Sequence, residues 1–159
     1  MKAKRGFAKN VVAAIRDGKI LGIRAGTKPH RVIGIWAVVV ENRVFVRSWS
    51  MKPRSWYRTF LEEPHGVIEV DGREIPVRAV FTRSERLKDK VDRAYREKYN
   101  TPGSLYFVRG FAHKKRRDTT TELVPGKTVG SRQKAVRSRQ KAVRSRQTAV
   151  GRKKESSKR

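Results

Sequence analysis

Two hairpin-length gaps do most to limit what this chain can become. Glu41-Asn42-Arg43 and Asp71-Gly72 each separate two short runs rich in Val, Ile and aromatic residues. A gap that short returns the chain beside itself, so the flanking runs must pair as antiparallel strands. Residues 32–40 are the most apolar stretch and carry Trp36 in their middle, the pattern of a central strand. Residues 44–49 are its partner, and alternation puts Val44, Val46 and Ser48 on one face and Phe45, Arg47 and Trp49 on the other. Residues 67–70 and 74–81 make the second hairpin, with Pro76 marking an edge or a bulge. Residues 20–25, 105–111 and 119–124 read as further strands or extended segments.

Helical patterns are fewer. Phe7, Val11, Val12, Ala14 and Ile15 recur at helical spacing, and Gly18 supplies a stop after Asp17. Residues 55–61 predict a short helix that ends before Pro64. Ser84 predicts an N-cap for a helix over residues 85–98, apolar at Leu87, Val91, Ala94 and Tyr95 and charged on its other face. Strands joined by hairpins, with three helices between, predict an α+β domain over residues 7–125. Its mostly antiparallel sheet closes into a small β-barrel flanked by helices.

Residues 126–159 are different material. They repeat SRQKAVR with a period of seven, starting at Ser131, Ser138 and Ser145, and their apolar residues are adjacent pairs such as Ala135-Val136. That spacing builds no coiled-coil seam, and high charge with low hydrophobicity predicts a disordered tail. The DNA heptamer GCAGTCG, read continuously through three frames, translates to nearly this pattern. A translated tandem repeat is therefore the expected origin, and codons without a seven-nucleotide register would rule it out. The formal charge of +27 divides into +15 for residues 1–125 and +12 for residues 126–159. Such a balance favours anionic partners, and the tail is expected to bind nucleic acid non-specifically, more weakly as salt rises. There is no cysteine, which excludes disulfides, thiolate metal sites and a cysteine nucleophile. With no apolar run long enough to span a bilayer and no signal-peptide core, a cytoplasmic location is expected.

The chemistry-bearing residues are sparse. No triad, phosphate-binding loop or metal-ligand spacing is present, and His30, His65 and His113 lie far apart. Asp89 and Asp92 fall on the charged side of the third helix and are expected to face solvent. The one dense cluster is Arg47-Ser48-Trp49-Ser50-Met51-Lys52-Pro53-Arg54, between a strand and a short helix. An arginine fork, a lysine point charge and neutral hydroxyls can together surround a phosphate.

Ser50-Met51-Lys52, followed by a short helix closing at Glu63-Pro64, resembles the split-barrel flavoproteins of the pyridoxamine-phosphate-oxidase type. There a Ser-x-Lys after a hairpin strand holds the FMN phosphate and the helix closes at an Asn-Pro-like end. The chain is also similar to a bacterial family, domain of unknown function 2255. That likeness rests on Gly26-Thr27-Lys28-Pro29-His30-Arg31, Val44-Phe45-Val46-Arg47-Ser48-Trp49, Glu69-Val70-Asp71-Gly72-Arg73-Glu74-Ile75-Pro76-Val77 and Tyr95-Arg96-Glu97-Lys98-Tyr99. These resemblances imply a split β-barrel that binds FMN, with a deazaflavin as the alternative, and a possible flavin-dependent oxidoreductase. They imply Arg47, Ser48, Ser50, Lys52 and Arg54 at the phosphate, His30 and Arg31 near the ring, and Trp49 and Trp56 as pocket walls. A homodimer is implied too, with Tyr106 and Arg109 reaching a partner's site. Two other readings stay open: a basic nucleic-acid-binding module, and a barrel without cofactor that serves as an interaction protein.

Overall fold

A computed structural model of the protein describes residues 6–27 and 31–126. Contacts group the described residues into a unit that closes at Gly126. The repeat tail and His30 lie outside the described residues.

The chain runs α1 (Lys9–Asp17), β1 (Leu21–Ala25), β2 (Ile33–Ile35), β3 (Ala37–Val40), β4 (Arg43–Val46), α2 (Trp56–Glu62), β5 (His65–Val70), β6 (Arg73–Phe81), α3 (Glu85–Lys98), α4 (Pro102–Phe111), α5 (Lys114–Arg117) and β7 (Thr121–Pro125). The seven strands form one sheet in the order β2-β1-β5-β6-β7-β4-β3, with every pair antiparallel. β2 and β3 stand at opposite ends of that order, yet only Trp36 separates them in sequence. One residue spans about 3.3 Å, so the two edges of the sheet must meet. The result is a nearly closed antiparallel barrel with flanking helices. Residues 32–40 are therefore not one central strand. They form the seam, pairing with β1 before Trp36 and with β4 after it.

The hairpins turn where the sequence placed them. Glu41 and Asn42 have φ 54° and 61°, and Asp71 and Gly72 have φ 51° and 74°, the left-handed pairs that suit the twist of an antiparallel hairpin. Pro76 sits inside β6 opposite Val67, and its carbonyl accepts from Gly126 N at 2.8 Å. In an antiparallel strand a residue's nitrogen and carbonyl face the same neighbour. Its missing N–H thus falls on the β7 side, where the ladder begins only at Val77, and costs the β5 ladder nothing.

Alternation divides the apolar residues between two cores. Val44 and Val46 join Ile23, Ile68, Val77 and Leu123 in the barrel, with Val11 and Ile15 of α1 and Trp56 and Phe60 of α2. Val38, Val40 and Phe45 face the other way, onto Leu87, Val91, Tyr95 and Tyr99 and onto Val108 and Phe111 of α4. Each such side chain, fully buried, contributes roughly 1.5–3 kcal/mol. The strand expected over residues 105–111 is instead helix α4. Its aromatic and β-branched residues suit either state in so short a run. Pro102 in the first turn and the three-residue spacing of Val108 and Phe111 against α3 decide for a helix.

The seam breaks both ladders, and α3 repairs them. Tyr95 Oη donates to Trp36 O at 3.4 Å and accepts from Arg47 N at 3.0 Å. Tyr99 Oη accepts from Ala37 N at 3.2 Å and donates to Lys19 O at 2.7 Å. Lys98 Nζ donates to Ala37 O at 2.6 Å and to Ile15 O, near the end of α1, at 3.0 Å. Trp36 itself stacks on Tyr99, with ring centroids 4.0 Å apart and planes 5° from parallel. Among the described residues, no helix is long and apolar enough to cross a membrane.

Candidate functional site

β4 ends at Val46, and the chain then runs through residues 47–55 into α2. Local hydrogen bonds set the shape of this segment. Ser48 Oγ donates to Ser50 O at 2.6 Å, Lys52 N donates to Ser50 Oγ at 3.2 Å, and Ser55 N donates to Lys52 O at 3.0 Å. Ser55 then caps α2, its Oγ accepting from Arg58 N at 3.3 Å. Ser50, Met51, Lys52 and Arg54 are exposed.

The cluster read from the sequence splits in two. Arg47 does not belong to an anion site. Its side chain is fully buried, and its guanidinium donates to Thr120 Oγ1 at 2.8 Å, Phe111 O at 2.9 Å, Lys88 O at 2.9 Å and the carboxylate of Asp92. Burial lowers its pKa from the ordinary arginine value, partly offset by the hydrogen bond to Asp92. Ser48 is also buried, with its backbone N–H on Thr119 Oγ1 at 2.9 Å and its hydroxyl spent on Ser50 O. Alternation explains both: past the last ladder residue, Arg47 continues the Phe45 side, which faces α3 and α4, and Ser48 continues the Val46 side, which faces the barrel.

Ser50, Lys52 and Arg54 remain together on the exposed turn, and Arg58, four residues on in the first turn of α2, adds a cation that the sequence reading missed. Its signal was its place in the sequence, four residues after Arg54 and just inside the capped helix. Among the described residues, none of Lys52, Arg54 and Arg58 makes an ion pair, whereas acids elsewhere hold cations closely. Glu41 pairs with Arg86 and Lys90, Glu122 with Arg43, and Arg117 meets Glu85, Asp89 and Asp92. Asp92 thus lies between two arginines and does not face solvent as expected.

The remaining predicted residues scatter. Arg31 is exposed just before β2. After β1, Thr27 N donates to Glu63 Oε1, at the end of α2, at 2.6 Å. Trp56 is buried in the barrel core. Trp49 packs beneath α4 against Phe107 and Phe111, with the Arg116 guanidinium 3.7 Å over its ring. Tyr106 and Arg109 are exposed on α4. No group of metal-ligating side chains forms among the described residues.

Fold and turn together define an α+β antiparallel barrel protein with an exposed, hydroxyl-bearing cationic turn after its β3–β4 hairpin. The chain belongs to the family described as "Uncharacterized protein conserved in bacteria (DUF2255)", whose profile matches residues 10–123. Among solved structures it is similar to one titled "Crystal structure of conserved hypothetical protein Rv2991 from Mycobacterium tuberculosis". The two share 11% identity over 79% of this chain and 83% of that one, with a TM-score of 0.47. No curated protein matches.

Proposed function

We propose that this protein binds a flavin nucleotide, FMN in the first place and a deazaflavin as the alternative, by its phosphate at the turn over residues 50–54. The observation that carries the reading is the set of cations there, Lys52, Arg54 and Arg58, exposed and without carboxylate partners among the described residues. A dianionic phosphate would satisfy them, with the Ser50 hydroxyl as a neutral donor. The same proposal places the family in the pyridoxamine-phosphate-oxidase-like superfamily. A bound flavin would carry any hydride or electron chemistry, while the protein holds its phosphate and orients its ring.

The test is thermal unfolding of the full chain with FMN and, separately, with riboflavin, which lacks the phosphate. FMN at 100-fold over its Kd stabilises by ~2.7 kcal/mol, a readily measured rise in Tm. The expected result is a shift with FMN, little with riboflavin, and loss of most of the FMN shift in Lys52→Ala. Equal shifts with both ligands would remove the phosphate anchor, and no shift with FMN or a deazaflavin phosphate would remove the cofactor.

A further inference from the structure

α4 exposes apolar side chains that a packed helix would bury. Tyr106 is 70% exposed, Phe107 42% and Leu105 37%. Their rings are not isolated. Tyr106 and Phe107 lie 5.3 Å apart edge to face, and Trp49 lies 6.1 Å from Tyr106 and 5.1 Å from Phe107. Contiguous exposed apolar surface of this kind marks a contact face.

The two segments that carry these rings hold cations and no acid. Residues 42–61 and 100–117 contain no Asp or Glu, and the Trp49 contacts with Tyr106, Phe107 and Phe111 join the two segments in space. Arg109 lies one helical turn beyond Tyr106, exposed, and Lys115 is exposed on α5. Neither makes an ion pair among the described residues. A ring and a cation one turn apart, about 5–6 Å between Cβ atoms, suit a nucleotide whose base stacks while its phosphate is neutralised beside it. A second copy of this basic chain would bring like charges together, and a duplex would offer no unstacked base to the rings.

We infer that the Tyr106–Phe107 face of α4, with Arg109 and Lys115 beside it, binds single-stranded nucleic acid by base stacking. The inference goes beyond the flavin reading and does not depend on it, because neither Lys52 nor Ser50 is required.

The experiment measures fluorescence anisotropy of a labelled single-stranded oligonucleotide of about fifteen thymidines, and of a duplex of equal length, with the full chain at about 0.2 M salt. Salt suppresses tail attraction, which serves either form. The wild type is expected to prefer the single strand. Tyr106→Ala should weaken single-strand binding about tenfold with little effect on the duplex, and Tyr106→Phe should retain it. Both variants change an exposed side chain, and unchanged thermal unfolding verifies their fold. Equal affinity for the two forms, or a Tyr106→Ala variant that binds like the wild type, overturns the inference. So does Tyr106-dependent co-sedimentation with phosphatidylglycerol vesicles, or Tyr106-dependent dimerisation in sedimentation, without a single-strand preference. The FMN shift in Tyr106→Ala reports separately on the cofactor reading.

Discussion

The guanidinium of Arg47 and the carboxylate of Asp92 form an ion pair between the end of β4 and α3, with no exposed surface on the arginine side chain. Asp92 also accepts from Arg117 Nε at 3.2 Å, so one carboxylate holds one arginine that precedes it in the chain and one that follows it. Arg47 further reaches the last carbonyl of α4 and a threonine beside β7. This single cation therefore ties the barrel to its helical layer.

Removing one partner of a buried pair leaves the other charge unsatisfied, which costs roughly 3–5 kcal/mol. Asp92→Ala is expected to lower the unfolding free energy measured in urea by that order. Lys52→Ala, on the exposed turn, is expected to move it by less than about 0.5 kcal/mol. A reversed ranking in urea unfolding would contradict the division of the arginine-rich cluster into a structural half and an exposed half.

Lys98 gives the protein a pH dependence of defined sign. Burial against two backbone carbonyls lowers its pKa to about 8, from an ordinary value of 10.5. Between those values the unfolded chain binds more protons than the folded one, so stability rises with pH across that window, and the penalty is fully present below it. Tyr99 works the other way at higher pH. Burial raises it from 10.0 to about 12, so its contribution is lost as pH rises through that range. Urea midpoints measured from about pH 7.5 to 9.5 should climb in the wild type and climb less in Lys98→Met. Parallel slopes would refute the assignment.

Gly110 lies directly under the six-membered ring of Trp49, where a Cβ would overlap two ring carbons. Overpacking of this kind costs about 1–3 kcal/mol. Gly110→Ala should destabilise the fold and alter tryptophan fluorescence. The loss should largely vanish when Trp49 is already replaced by Leu. A double-mutant cycle measures this coupling, and additive effects would count against the contact.

Gly66 and Gly72 are required for different reasons. A Cβ on Gly66 would come within 2.5 Å of Arg24 O in the β1–β5 pair, whereas one on Gly72 would meet open space but sits at φ 74°. Alanine should destabilise at both positions, by ~1–3 kcal/mol for overpacking at Gly66 and ~1–2 kcal/mol for left-handed backbone at Gly72. Asparagine tolerates left-handed backbone, so Gly72→Asn should recover most of the loss. Gly66→Asn should recover none, and equal rescue at both positions in thermal unfolding would collapse the distinction.

Much of the architecture was legible in the chain because it rests on local rules. Asp71-Gly72 announces a hairpin, since few residues accept left-handed backbone, and the gap Glu41-Asn42-Arg43 is short enough to announce another. Ser84 caps α3, and its Oγ accepts from Leu87 N at 3.2 Å. The alternation of residues 44–49 sorts side chains correctly even past the ladder. α4 departs from the extended segment expected there because a short run of Leu, Tyr, Phe and Val satisfies both periods, and Pro102 in the first turn and packing against Tyr95 choose between them. For the candidate site, sequence brought Arg47, Ser48, Ser50, Lys52 and Arg54 together by adjacency. Adjacency does not reveal which of them points inward.

By itself, then, the sequence determined the hairpins, the caps and the faces of the strands, because each depends on residues a few positions apart. The tertiary structure alone decided that Trp36 divides one apolar run into the two edges of a closed barrel. It alone decided that Tyr95, Lys98 and Tyr99 satisfy the backbone groups freed there, and that Arg47 is spent on Asp92 and Phe111 O. The physical reason is the same in each case. Which buried donor meets which acceptor depends on segments 45 to 64 residues apart in the chain, whose approach is set by burial of the whole barrel and its helical layer.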